Sequence, residues 1–503
     1  MIIGKKFTKC MKKDMATKID FVPSNNSNNK VVSFTKGQEE AVKNILQFLS
    51  EPFDKANFIV GLTGAGGVGK TFVIKYIVDN SVYSSSVIGC CSTTHKACRV
   101  FAEALGRTKR VHTIQSTFGF RMDMKLEDFN PLRPQFAPKA TPKIDEVKVL
   151  IIDEASMLPS GLVTYIRKTC QAKEIKVIFV GDSDQLPPVG QLRSTAFSIC
   201  SKVYTLTEIV RQGVKNPILG LLDYLRYDIE NKTNYFLQYL STHQGVVNYN
   251  ENNEGYCIIN QHKFTETVIN KFSNPEYASN IDMYRIIAYT NEAVQAWNKF
   301  IRNIIVKDAD KNIITQNDLI MSYQTIVDDY LSIIINNSEE YIVNEIVNYV
   351  DNKYKFKGFN VRLQAIHGGT ITTPLFVLDD TDRFTKIKYH EVVSELIKNA
   401  KSASIGTRSE KWKKYFDFKR KYLLLTDIKD IHNNVLYSRD LDYGFSITSH
   451  KSQGSTYDCV FVDCMDMIYA KNGIPYSNKE ELLRRLYVAC SRARNELILC
   501  YGR

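Results

Sequence analysis

Residues Gly64, Ala65, Gly66, Gly67, Val68, Gly69, Lys70 and Thr71 read GAGGVGKT, a run whose chemistry suits a phosphate chain. The glycines let successive backbone N–H groups turn inward around an anion. Lys70 can reach β- and γ-phosphates, and the Thr71 hydroxyl can approach Mg²⁺. The apolar run Phe58–Thr63 before it predicts a buried strand. A helix expected over Lys70–Val78 would aim its positive N-terminus at the anion. Binding of a nucleoside triphosphate, ATP with Mg²⁺, is therefore expected.

Val149-Leu-Ile-Ile-Asp153-Glu154 predicts a second strand, ending in two carboxylates. Asp153 is expected to hold the metal beside Thr71, and Glu154 to orient and activate the attacking water. The run Val177–Val189 leads from a third strand into a polar turn that carries Gln185, where a side chain can touch both γ-phosphate and water. Arg211 and Arg492 lie far along the chain beside apolar runs. An arginine supplied across a cleft contributes about 10³–10⁵ in rate and makes hydrolysis depend on closure.

Buried strands are expected at 58–63, 87–91, 149–153, 177–180 and 203–206, and a helix over 36–49. Strands alternating with helices imply an α/β fold with a parallel sheet. The prolines at 131, 134, 138 and 142 exclude a long helix there, so an excursion at about 117–146, with the form of a hairpin, is expected. A second parallel core is expected over 209–304 and 441–503, with strands near 285–289, 445–448, 459–463 and 496–500. Residues 305–440 read as an inserted β-rich module with helical additions, and residues 1–33 as a flexible tail.

The chain of 503 residues carries a net charge of +12, which suits a polyanionic partner. No apolar run reaches the roughly 18–20 residues of a membrane span. The eleven cysteines form no C-x-x-C pair and read as reduced thiols of a cytoplasmic protein. Asn, Ile, Lys and Tyr are abundant; their A/T-rich codons fit a viral source. In Lys411–Tyr422, cations and aromatics interleave as on a nucleic-acid surface. The helical spacing of Trp412, Tyr415 and Phe416 favours core packing, with the lysines in water.

Taken in order, Phe34-Thr-x-x-Gln38, GAGGVGKT, Ser92–Ala97, His112–Ser116, IIDEAS, GDSDQLPPVG, Glu208–Gln212, Ser446–Gly454 and YVACSRAR resemble the full motif series of superfamily 1 helicases, in the branch of RecD-like proteins and the phage Dda helicase. The resemblance runs from about residue 34 to the C-terminus. It implies two RecA-like parallel-sheet P-loop domains, the first (34–208) with a pin-type hairpin and the second with an SH3-like insertion. It also implies an ATP-hydrolysing DNA helicase that moves 5′ to 3′ on single-stranded DNA and unwinds forks in replication, recombination or repair. A monomer is expected, with replication or recombination proteins as partners and no membrane. Gln38 would contact adenine, and Gln453 and Gly454 would lie near the nucleotide. Thr94, His95, Lys96, His112 and Ser116 would line the DNA path in the first core, and Thr448, His450 and Lys451 in the second. Phe129 and Phe136 both qualify as the pin's tip. An RNA helicase or nucleoprotein remodeller with the same ATPase is the alternative.

Overall fold

The computed structural model describes residues 33–502, apart from 108, 123–135, 139–140, 189–190, 192–193, 209–215, 328–332 and 367–368. The expected tail, Phe129, the Phe136 side chain and Arg211 lie outside the described residues.

Six parallel strands form the first sheet, in the order Val111–Thr113, Ile88–Ser92, Val149–Ile152, Lys176–Gly181, Ile59–Gly64, Lys202–Leu206. Its central strands are buried along their length because helices cover both faces. The helices Lys36–Ser50 and Lys70–Asn80 cover one face through Ile45, Leu49, Ile74 and Ile77. Helix Ser160–Ala172 covers the other through Val163 and Ile166. Short strands Phe120–Met122 and Phe136–Pro138 pair antiparallel where the excursion was expected.

The second sheet runs Ser446–Thr448, Tyr284–Ala288, Tyr457–Asp463, Ala493–Cys500, Gly255–Ile259, Val247–Tyr249. Its first five strands are parallel and the last is antiparallel. Between Tyr284–Ala288 and Ser446–Thr448 in the chain stands a five-stranded antiparallel sheet, ordered Leu375–Leu378, Lys357–Ala365, Glu340–Val350, Leu319–Ser322, Leu441–Tyr443. Helices Arg383–Lys401 and Ile405–Lys421 pack against it, and Trp412, Tyr415 and Phe418 bury among Phe356, Phe376 and Tyr389. The aromatics of that cationic helix are therefore core, while Lys413 and Lys414 face solvent.

All ten cysteines among the described residues are free, and nine are buried. No described cluster of His, Cys, Asp or Glu could hold a metal. No described helix is long and apolar enough to cross a membrane.

Candidate active site between two parallel sheets

The phosphate loop leaves the C-terminal end of strand Ile59–Gly64 and enters helix Lys70–Asn80. Gly67 and Gly69 hold φ of +88° and +82°, values that L side chains rarely adopt. The Lys70 ammonium curls into the loop and donates to the carbonyls of Gly64 (2.6 Å) and Ala65 (2.9 Å). A Cβ added at Gly66 would meet nothing within 4 Å, so the loop's tip opens onto free space. This concave ring of N–H groups at a helix N-terminus is suited to a polyphosphate.

Asp153 and Glu154 follow the neighbouring strand Val149–Ile152. The Asp153 N–H still donates to Cys91 in the sheet, at 2.9 Å. Glu154 then turns into the left-handed region with φ +53°. A non-glycine residue held there costs about 1–3 kcal/mol and is typical of functional sites. Burial, with Glu154 alongside, pushes the Asp153 carboxyl well above its ordinary range. Burial pushes Glu154 up too, while Arg492 and Lys70 pull it down. Its Oε2 is buried without a hydrogen-bond partner. A buried carboxylate oxygen without a partner has an unused acceptor. Together with the Thr71 hydroxyl and the Asp153 carboxylate it makes an oxygen donor set that fits Mg²⁺ and a water.

The second sheet supplies the other wall. Helix Lys479–Cys490 is capped by Asn478, whose side chain accepts from Glu481 N–H, and it carries Glu480 and Glu481 in its first turn. It points Arg484 and Tyr487, one turn apart, at the turn after strand Lys176–Gly181. The Tyr487 hydroxyl donates to Asp182 (2.8 Å), and Arg484 donates to the carbonyls of Ser183 (2.7 Å) and Gln185 (3.2 Å). Gln453 donates to Gln185 Oε1 at 3.4 Å. A Cβ added at Gly454 (φ +75°) would lie 4.0 Å from Glu154 Oε1, so this turn approaches the carboxylates closely. Arg492 is buried and held by the carbonyls of Val488 and Ser455 (3.0 and 3.3 Å) and by Ser491. Its charge reaches Glu154 from the opposite wall. Lys70, Asp153, Glu154, Gln185, Gln453, Gly454 and Arg492 thus converge on one cleft.

Two expected positions already have partners. Gln38 is only 1% exposed, with its amide nitrogen donating to Val68 O (2.9 Å) and its oxygen accepting from Thr35 N–H (3.2 Å). It caps its own helix and braces the phosphate loop. Lys96, expected on the DNA path, is buried and paired with Glu340 at 3.0 Å. Glu340 also binds Arg285 at 3.0 Å, so one carboxylate joins the first core, the second core and the inserted sheet. Burial alone would raise Glu340, but Lys96 and Arg285 overcome it and hold the carboxyl below its ordinary range.

The other expected DNA residues sit at strand ends. Thr94, Thr113 and Thr448 cap short helices by accepting from Ala97, Ser116 and Lys451 N–H groups. His95, His112, Ser116 and His450 are half-buried. Lys451 lies over the Tyr323 ring at 3.9 Å and donates to Ser338 (3.3 Å). Burial, then Arg439, pushes its ammonium down to about 8. Arg484, Tyr487 and Glu340 were not singled out from sequence. The i, i+3 spacing of Arg484 and Tyr487 on one helix was the available signal; nothing local marks Glu340.

Residues 33–230 match the family model described as an AAA domain, and residues 443–500 match the UvrD-like helicase C-terminal domain. The two matches hold the two walls of this cleft. In both of these domains the chain is similar to superfamily 1 helicases. The chain is 24% identical to an uncharacterised protein of Acanthamoeba polyphaga mimivirus, over 92% of this chain and 99% of that one. It is 32% identical to the ATP-dependent RecD2 DNA helicase of Deinococcus radiodurans, over 37% of this chain and 23% of that protein. Among solved structures, the Pif1 helicase from Bacteroides in complex with ADP-AlF3 and ssDNA is similar at 17% identity and TM-score 0.48, with 94% of this chain and 93% of that one covered. Pif1 helicase from Candida albicans is similar at 17% identity and TM-score 0.46, with 94% and 95% covered.

Proposed function

We propose that this protein is an ATP-dependent DNA helicase that moves 5′ to 3′ along single-stranded DNA and separates duplexes at forks. One arrangement carries the reading: from the second sheet's side Tyr487 donates to Asp182, Arg484 to the carbonyls of Ser183 and Gln185, and Gln453 to Gln185, while the Gly454 turn approaches Glu154, so both walls close on the turn and the carboxylate beside the phosphate loop. A cleft whose charges come from both walls feels the phosphate state on both sides.

Within it, the phosphate-loop N–H groups and Lys70 bind the triphosphate. Thr71 and Asp153 would hold Mg²⁺, which supplies charge neutralisation at the phosphates when bound. Glu154 accepts the proton of the attacking water, and Gln185 orients that water. Arg492, already fixed by three oxygen partners, stabilises the charge that develops. Arg211 takes the same role in this proposal. Loss of the γ-phosphate frees Arg492 and Gln185, and the contacts through Tyr487, Arg484 and Gln453 transmit the change between the sheets.

The first parallel core (34–208) and the second (209–304 with 441–503) then move as two lobes. Thr94, His95, His112 and Ser116 on one, and Thr448, His450 and Lys451 on the other, grip the strand in alternation. The excursion at about 117–146, where Phe120–Met122 pairs with Phe136–Pro138, serves as the pin, and the inserted module supports it as an SH3-like unit. One base stacked on an aromatic is worth about 1–3 kcal/mol and a duplex step about 1.4 kcal/mol, so one stack per cycle matches one base pair.

Forked duplexes carrying a 5′ or a 3′ single-stranded tail, in DNA and in RNA, test the proposal together. Unwinding of the 5′-tailed DNA fork alone is expected. Preference for the RNA fork would favour the RNA-helicase alternative, and a 3′ requirement would reverse the polarity.

A further inference from the structure

The net charge of +12 is unevenly placed. The helices Arg383–Lys401 and Ile405–Lys421 hold twelve of the 66 Lys and Arg but only four of the 54 Asp and Glu, a net +8. Residues 1–32 carry seven Lys and two Asp, a net +5, which leaves −1 for all the rest of the chain. Solvated helices mix the signs, because opposite charges a turn apart stabilise each other and like charges repel. In this pair Glu391 is taken by Lys388 and Asp417 by Arg420. Arg383, Lys386, Lys398, Lys401, Lys413 and Lys414 are exposed and, among the described residues, pair with no carboxylate. Arg383 and Lys386 even stand at the positive end of their helix, where the dipole disfavours a cation. Arg408, in the first turn of the second helix, is buried with Nε and Nη1 lacking partners. A surface built in this way repels itself, and a polyanion relieves it.

We propose that this helical pair is a second nucleic-acid surface, which holds the phosphates of double-stranded DNA without reading sequence. It rests on the DNA reading above and adds the duplex arm to it; none of the residues expected on the single-strand path belongs to these helices. Single-strand sites combine cations with aromatic stacking. Here Trp412, Tyr415 and Phe418 are buried in the core, and Phe384, in the first turn of its helix, is the one exposed Phe, Tyr or Trp of the pair. Cations without rings engage phosphates and leave bases alone, which suits a duplex whose bases are already paired. From Arg383 to Lys401 the helix rises about 27 Å, the length of about eight base pairs.

The test is the affinity of the full chain for a blunt duplex of about 16 base pairs, twice that length, measured by anisotropy over a salt series. The variant carrying Lys398→Gln, Lys401→Gln, Lys413→Gln and Lys414→Gln should flatten the slope of log affinity against log salt by about 2–4, at about 0.9 per phosphate contact. Its affinity for oligothymidylate, and its phosphate release with that strand, should stay within about twofold of the unaltered chain. Lys398→Arg, Lys401→Arg, Lys413→Arg and Lys414→Arg together should keep the duplex slope, which separates charge from folding. Lys55→Gln, Lys148→Gln, Lys263→Gln and Lys299→Gln, at exposed lysines of the two cores, should also leave it unchanged. An unchanged slope in the first variant would overturn the inference and give the face to solvent or to an acidic protein. An equal change in the last variant would overturn it too, by making the effect one of net charge. So would an equal fall for oligothymidylate, which would put these lysines on the single-strand path. In all three cases the helicase reading stands. Failure of the unaltered chain to bind either DNA would overturn the DNA reading and this inference with it.

Discussion

At the scale of single residues, the cleft assigns each group a separable consequence. Lys70→Ala removes the only described lysine that reaches into the loop, and phosphate release should fall below detection while the fold, read by circular dichroism, persists. Glu154→Gln keeps the shape and removes the base. Turnover should fall about 10²–10⁴-fold, the share of a general base, with nucleotide still bound in equilibrium dialysis. Lys451 gives a pH test. Its ammonium, pushed down to about 8, is charged at pH 7 and largely neutral at pH 9. Only the charged form attracts phosphate, so DNA affinity measured by anisotropy should weaken as pH rises through 8. Lys451→Arg, whose guanidinium stays charged, should remove that step. The phosphate loop and the two carboxylates were legible because the chemistry of each is carried by residues adjacent in sequence. The partners that Gln38 and Lys96 take were not legible, because Val68 and Glu340 are distant in sequence. The Lys96 partner, Glu340, stands 244 residues away.

At the scale of elements, strands flanked by helices were legible as apolar runs: Ile59–Gly64, Val149–Ile152 and Tyr457–Asp463 match expectation to within two residues. Gly255–Ile259 escaped because five residues behind a polar Asn-rich turn show no period. Strand Leu441–Tyr443 belongs to the inserted sheet although the expected module ended at 440, since only pairing with Leu319–Ser322 closes that sheet. The joint made by Glu340 is likewise visible only in three dimensions, and its energetics favour one asymmetry. Removing one partner from a buried pair costs about 3–5 kcal/mol when a charge is left uncompensated. Glu340→Ala leaves Lys96 without a carboxylate and Arg285 with only the more distant Asp282 (3.7 Å), whereas Lys96→Met leaves Glu340 still paired with Arg285. Thermal unfolding should therefore show the larger loss of midpoint for Glu340→Ala. Equal losses would mean that Arg285 does not share the carboxylate.

At the scale of the whole molecule, the lobes meet through two kinds of contact. The Lys96–Glu340–Arg285 joint is buried, a fixed bearing. The contacts Tyr487–Asp182, Arg484–Ser183 and Gln453–Gln185 surround the nucleotide cleft and engage the turn that carries Gln185. A motor needs the second set to respond to phosphate while the first holds the axis. Arg492 decides whether this is so, because the second lobe holds it on the carbonyl of Ser455, next to the Gly454 turn that approaches Glu154 of the first lobe. Arg492→Lys keeps a positive charge but loses the planar fork that Val488, Ser455 and Ser491 fix. If transition-state charge is stabilised from across the cleft, kcat should fall about 10³-fold or more while nucleotide affinity changes little. In the double variant with Glu154→Gln the losses should not multiply, because groups acting on one transition state fail as a unit. Single-turnover phosphate release on the two single variants and the double checks this. Losses that multiply in full would place Arg492 outside the reacting centre and reduce the second lobe to a DNA-binding platform.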